Sequence, residues 1–191
     1  QRAVLRRHHR RIARHRKMGI CNDGSGALTV DHCDIRDNQC EGITLDNGTW
    51  GARISRSNIA GNGRRADQSD HELLTDFVAR DDRLPDGSSP VKLPGISLDN
   101  AALCRIENCT IHDNHGEGVK FVRAVWRCTV QNNTIADNNQ GRSPGHPHHG
   151  IRVGADPSQH KGQRDFPSSH NLLLDNRITG PHNCGILLTD G

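Results

Sequence analysis

Tyrosine is absent from the 191 residues, and three Phe and two Trp bring aromatics to only 3% of the chain. A core of packed rings is excluded, so Ile, Leu and Val must supply the burial. No apolar run approaches the roughly 20 residues of a membrane-spanning helix, and none forms the apolar part of a secretory leader. The chain opens on Gln1 and has one methionine, Met18, which raises the expectation of a removed leader or of a piece of a longer protein. Cysteine is present without a pairing pattern. The seven are odd in number and show no CxxC, which argues against a zinc ribbon and against a fully paired disulfide framework. Acid is missing from one stretch: residues 1–17 hold eight of the 25 Lys and Arg and no Asp or Glu, leaving 17 bases against 22 acids, a net of −5, for the body. Such a run is a candidate polyanion patch. A basic terminal arm or cap over 1–17 is the reading adopted, and nucleic acid is the least supported partner. If the segment were a first repeat, Arg7 and Arg10 would face inward, which is costly without partners.

What is present is an internal repeat. Five segments carry Gly-Ile or Gly-Val followed by alternating apolar residues: EGITLDN from Glu41, PGISLDN from Pro94, EGVKFVR from Glu117, HGIRVGA from His149 and CGILLTD from Cys184, with MGICND from Met18 as a weaker sixth. Each of the five is preceded by a second element, CDIRDN from Cys33, SNIAGN from Ser57, CTIHDN from Cys109, NTIADN from Asn133 and NRITGP from Asn176. A third apolar column, Val30, Ile54, Ile106, Val130 and Leu173, lies five residues before the second. Each unit is therefore three short period-two stretches joined by turns, about two dozen residues long where uninterrupted. Stretches so short cannot bury a face alone. Coiling the chain so that every turn stacks on the last gives each column a like neighbour above and below, which is an all-β parallel β-helix of about five to six coils over residues 18–191. The column Cys33, Ser57, Cys109, Asn133, Asn176 reads as an inward turn position able to hydrogen-bond to its stacked equivalents. Cys104 and Cys128 share another inward column, as a disulfide or as two buried thiols. The recurrent Gly42, Gly95, Gly118, Gly150 and Gly185 read as corners needing positive φ or close approach.

Insertions fall between Ile59 and Ile96, between Ile135 and Ile151, and between Val153 and Leu173, all beside the Gly-Ile strand, so its outward face is the expected groove floor. Alternation assigns it one outward column of Cys21, Thr44, Ser97, Lys120, Arg152 and Leu187 and a second of Asp23, Asp46, Asp99, Val122, Gly154 and Thr189. Stacked carboxylates repel, so the second column needs a cation between them or a raised pKa on one. All-oxygen ligands suit calcium, giving Asp23, Asp46 and Asp99 as candidate metal residues. The same aspartates are spaced for glycoside hydrolysis, and Asp-Asn after a strand is also ordinary turn chemistry. His146, His148 and His149 crowd beside Arg152, with His149 the expected acid or base. Arg123 and the paired positions of Trp50 and Trp126, with Leu103 between them, are the expected substrate contacts. Glu41 and Glu117 read as turn residues.

The xNxIxxN…GIxL units resemble the right-handed parallel β-helix repeat of the pectin-lyase-like superfamily over nearly all of 18–191. The resemblance implies a carbohydrate-active protein, secreted or at the cell surface. Enzymes of the pectate-lyase type neutralise a uronate carboxylate with calcium and arginine while Lys or Arg removes a proton, which implies Lys120 as base and Arg152 beside it. The leading expectation is a lyase on an acidic polysaccharide. A glycoside hydrolase is the nearest alternative, and a non-catalytic adhesin, tailspike segment or scaffold is the alternative of a different class. The last unit ends directly after its strand, so a longer solenoid or a cap from a partner is expected.

Overall fold

A computed structural model describes residues 6–63, 93–139, 149–154, 167–182 and 184–189, which form six coils. Coil one holds β1 (Arg6–His8), β2 (Arg11–Ala13) and β3 (Ile20–Asp23). Coil two holds β4 (Thr29–Asp31), β5 (Asp34–Arg36) and β6 (Ile43–Asp46). Coil three adds a short β7 (Thr49–Trp50) before β8 (Arg53–Ser55), β9 (Asn58–Ala60) and β10 (Ile96–Leu98). Coil four has β11 (Ala101–Ala102), β12 (Arg105–Glu107), β13 (Thr110–His112) and β14 (Val119–Phe121). Coil five has β15 (Thr129–Gln131), β16 (Thr134–Ala136) and β17 (His149–Val153), and coil six β18 (Leu172–Leu174), β19 (Arg177–Thr179) and β20 (Cys184–Leu188). All pairings are parallel and build three six-stranded walls: β1-β4-β8-β12-β15-β18, then β2-β5-β9-β13-β16-β19, then β3-β6-β10-β14-β17-β20.

The three apolar columns are the expected ones, each in register. Val30, Ile54, Ile106, Val130 and Leu173 stack in the first wall. Ile35, Ile59, Ile111, Ile135 and Ile178 stack in the second, and Ile20, Ile43, Ile96, Val119, Ile151 and Ile186 in the third. The five-residue offset between the first two columns has a local cause. One left-handed residue, such as His32 at φ 50° or Arg56 at φ 48°, turns the chain sharply between walls. The recurrent glycines serve close approach and not positive φ: a Cβ on Gly42 would lie 2.7 Å from the Gly95 carbonyl oxygen and 2.9 Å from Ile59 Cγ2.

Polar columns inside the coil complete the stacking. Asn38, Asn62, Asn114 and Asn138 are fully buried, and each donates its side-chain amide to the next, at 2.8, 3.0 and 2.8 Å. Their side-chain oxygens also accept the backbone N–H of the asparagine one coil below, as Asn114 Oδ1 does for Asn62 at 3.0 Å. The expected turn column behaves likewise, with Cys33 N–H on Ser57 Oγ at 3.1 Å and Cys109 N–H on Asn133 Oδ1 at 2.9 Å. Cys104 and Cys128 are buried free thiols, not a disulfide.

Two expectations are corrected. From Arg6 onward the basic segment is a coil and not an irregular arm: β1 pairs β4 and β2 pairs β5. Arg10 is exposed there, so the burial cost expected of an inward arginine does not arise at that position, while Arg7 is the register partner of Val30 in the inward column, as the repeat implies. The residue between Trp50 and Trp126 is Ala102, not Leu103. Coil three spends one extra residue, Gly48 at φ 86°, between wall three and Thr49, and this shifts the alignment by one.

Asn114→Ala removes the acceptor of the buried Asn62 N–H and the side-chain donor to Asn138 Oδ1 and the Ile59 carbonyl, leaving Asn138 Oδ1 only the backbone N–H of residue 114, and is expected to cost about 3 kcal/mol in urea denaturation. Thr134→Ala, on the outer face of the second wall, should stay within about 0.5 kcal/mol.

Candidate functional site

The outward face of wall three carries the predicted columns as read from the alternation. Cys21, Thr44, Ser97, Lys120, Arg152 and Leu187 are consecutive register partners. Asp23 pairs with Asp46, and Asp99 follows on the next coil, its N–H on the Leu45 carbonyl at 2.9 Å. Residues 64–92, 140–148 and 155–166 lie outside the described residues, His146 and His148 among them.

The aspartate column carries a paired cation at one member and a raised pKa at another. The cation is Arg123, whose Nε and Nη2 donate to the two carboxylate oxygens of Asp99 at 3.2 and 2.7 Å. The raised pKa falls on Asp46: burial drives it up, Asp99 and Asp23 add to the rise, and the Asn47 N–H and Arg123 oppose it. Asp23 Oδ1 accepts Asn47 Nδ2 at 2.6 Å. Asn47 and Asn100 adopt φ of 52° and 49°, which is turn chemistry. These carboxylates are partnered within the chain, and among the described residues no group of His, Cys, Asp and Glu is arranged to hold a metal ion. The donor set does not fit calcium as it stands. Arg123, expected to meet substrate, is already engaged with Asp99.

Coils four and five carry a different constellation. Val119 pairs Ile151 and Lys120 pairs Arg152, so Glu117, two residues before Val119, stands one rung from His149, two before Ile151. The four residues form a quartet on neighbouring rungs about 4.8 Å apart, Lys120 and Arg152 in the outward phase of the alternation and Glu117 and His149 in the phase of the inward Val119 and Ile151. Glu117, Arg152 and His149 keep only 3%, 8% and 2% exposure, whereas Lys120 is half-buried. Glu117 Oε1 lies 3.7 Å from Arg152 Nη1, an ion pair running diagonally across the rungs. His149 is not a loop residue but opens β17. Both its ring nitrogens are buried without a hydrogen-bond partner, an arrangement that costs free energy unless something occupies them. Thr44 Oγ1, farther along the column, is in the same condition.

Burial holds the His149 imidazole below its ordinary value. Glu117 opposes that shift, while Arg152 and His182 reinforce it. The neutral ring, able to accept a proton, is thus the folded form. Glu117 is the member that sequence reasoning missed, having been assigned to a turn. The available signal was the repeat itself, EGVK and HGIR at the same place in successive units, where the other units read MGIC, EGIT, PGIS and CGIL. Trp50 and Trp126 stand at the corner between walls three and one, 38% and 52% exposed, on either side of Ala102.

Residues 89–191 match the family model of the right-handed β-helix region, more than half of the chain, and the chain belongs to that family. The pectin-lyase-like resemblance holds at the level of fold. Two solved structures are similar to the chain. One is the A-module of the Azotobacter vinelandii mannuronan C-5 epimerase AlgE6, 12% identical with a TM-score of 0.35, matched over 100% of this chain and 58% of that one. The other is the AlgE4 A-module from the same organism, 16% identical with a TM-score of 0.33, over 87% and 58%. The chain therefore spans somewhat more than half the length of each. No curated protein sequence matches it. Among the described residues, no helix is long and apolar enough to cross a membrane.

The lowered pKa of His149 fixes a sign. The unfolded chain binds a proton at the ordinary histidine value of 6.5 and the folded chain only below it, so the stability from the neutral ring is complete above 6.5 and is lost as pH falls through the folded value. His182 is also lowered, first by burial, and acts with the same sign. Urea midpoints should be level above about pH 6.5 and fall below it, with a shallower fall in His149→Gln.

Proposed function

We propose that this chain is a carbohydrate-active β-helix that cleaves a uronic-acid polymer by β-elimination on the outward face of wall three. One observation carries the reading: Lys120 and Arg152 are direct register partners facing outward together, with the neutral His149 on the same rung as Arg152. In this reading the Arg152 guanidinium pairs with the uronate carboxylate and makes the neighbouring C5–H more acidic. A ring nitrogen of His149 takes that proton. The C–H electron pair becomes the C4–C5 double bond, the C4–O4 bond breaks, and the Lys120 ammonium gives a proton to the departing oxygen. His149 replaces Lys120 as the base expected from sequence, because its ring is neutral and its nitrogens are without partners. Trp50 and Trp126 offer exposed ring faces at the rim for sugar units. A polymer of this kind lies outside the cell, so the reading implies a secreted or surface protein.

A non-catalytic scaffold is favoured by a different observation. Arg152 and His149 are nearly inaccessible, and Arg152 is already paired with a carboxylate.

Incubation with a panel of polymers of mannuronate, guluronate, galacturonate and glucuronate decides between them. Elimination is expected to give unsaturated ends absorbing in the ultraviolet. His149→Ala should lower kcat by about 100-fold or more, and the wild-type rate should fall as pH drops below the folded value of His149. Reducing ends without unsaturation would support hydrolysis instead, with Asp46 as the acid. Neither product on any polymer would leave the scaffold.

A further inference from the structure

We propose that Glu117 is a positioning residue of this site, acting on the polymer only through Arg152 and His149. The inference rests on the elimination reading above and adds the group that organises it.

Three observations support it. Glu117 stands just before β14, in phase with the inward Val119, and is only 3% exposed. Glu41, at the equivalent place two coils earlier, is only half-buried. A buried carboxylate is retained only where something compensates its lost hydration. Here that compensation is the Arg152 guanidinium on the next coil, 3.7 Å away, and the same carboxylate stands one rung from His149.

The consequence for each neighbour is distinct. Arginine on a flat strand has a long stem with several accessible rotamers. A carboxylate across the rung selects the one that lies along the wall beside Lys120, and so presents the guanidinium in one orientation to an incoming carboxylate. For His149 the effect is electrostatic. When the ring accepts a proton, its new positive charge meets Glu117 on one side and Arg152 on the other. Glu117 favours the protonated ring and Arg152 disfavours it. His182, from the segment before β20, also disfavours it, and His182 in turn feels Asp137. Among the described residues, Glu117 is thus the carboxylate that favours the protonated ring, and it counters the desolvation that would otherwise make that ring too weak a base.

The test compares the 191-residue chain with Glu117→Gln and Glu117→Asp. Histidine resonances are followed by NMR titration, and kinetics are measured on whichever polymer the panel identifies. Glu117→Gln should move the His149 titration to lower pH, shift the acid limb of the kcat/KM profile with it, and lower kcat by about 100-fold with little change in KM. Glu117→Asp keeps the charge, so it should hold the titration near wild type while lowering kcat, because the shorter side chain no longer reaches Arg152. A folded Glu117→Gln protein with an unmoved His149 titration overturns the proposal, as does an acid limb that stays in place. If Glu117→Gln does not fold, Glu117→Asp decides: wild-type kcat and titration together would overturn it. If no polymer reacts, the elimination reading fails by itself, and the His149 titration still shows whether Glu117 governs the ring.

Discussion

Four buried amides joined side chain to side chain set the vertical spacing on which every other contact depends. Asn62 and Asn114 bond the asparagines above and below them, Asn38 and Asn138 end the row, and all four also satisfy backbone groups at the corner before wall three. An apolar column alone tolerates sliding, since one isoleucine packs against another over a range of offsets. An amide column does not, because displacement by one residue would leave several buried donors and acceptors without partners at once. The ladder therefore locks the rung alignment where the chain enters the wall that carries the charged quartet.

That alignment turns short sequence motifs into a surface. His149 and Arg152, three apart in HGIR, are on one strand, while residues more than 30 positions apart in the chain, Lys120 and Arg152, become nearest neighbours. The same geometry places like charges together and obliges the fold to manage them. On the aspartate column it does so with Arg123 across Asp99 and a raised pKa on Asp46. On the quartet it does so with an acid, two cations and a ring held neutral by burial. The two columns are adjacent on one wall and solve the same problem with different groups.

The three aliphatic columns, their register and both outward columns were legible in the sequence, because period-two alternation and repeat spacing are properties of the backbone. Glu117 was not, since it stands at the corner before β14, where spacing does not tell which side chain of the next coil it meets. The pairing of Arg123 with Asp99 was hidden for a related reason: a long side chain reaches across a rung to a partner that spacing alone does not nominate. Coil one was obscured by its own composition. Eight bases in 17 residues read as an arm, but parallel backbone hydrogen bonds do not depend on side-chain polarity, and Arg10 there remains in solvent. The position taken by Ala102 depended on one residue of turn length, which no local pattern announces.

The extra residue at Gly48 separates two kinds of variation available to this molecule. It changes which side chain stands at the corner between Trp50 and Trp126 while Ile43, Ile96 and Val119 stay aligned beneath. Lengthening or trimming that corner is thus a way to exchange the border of the surface without disturbing its floor. A lineage carrying this architecture can vary that border through small insertions and deletions, leaving the charged residues on coils four and five in register.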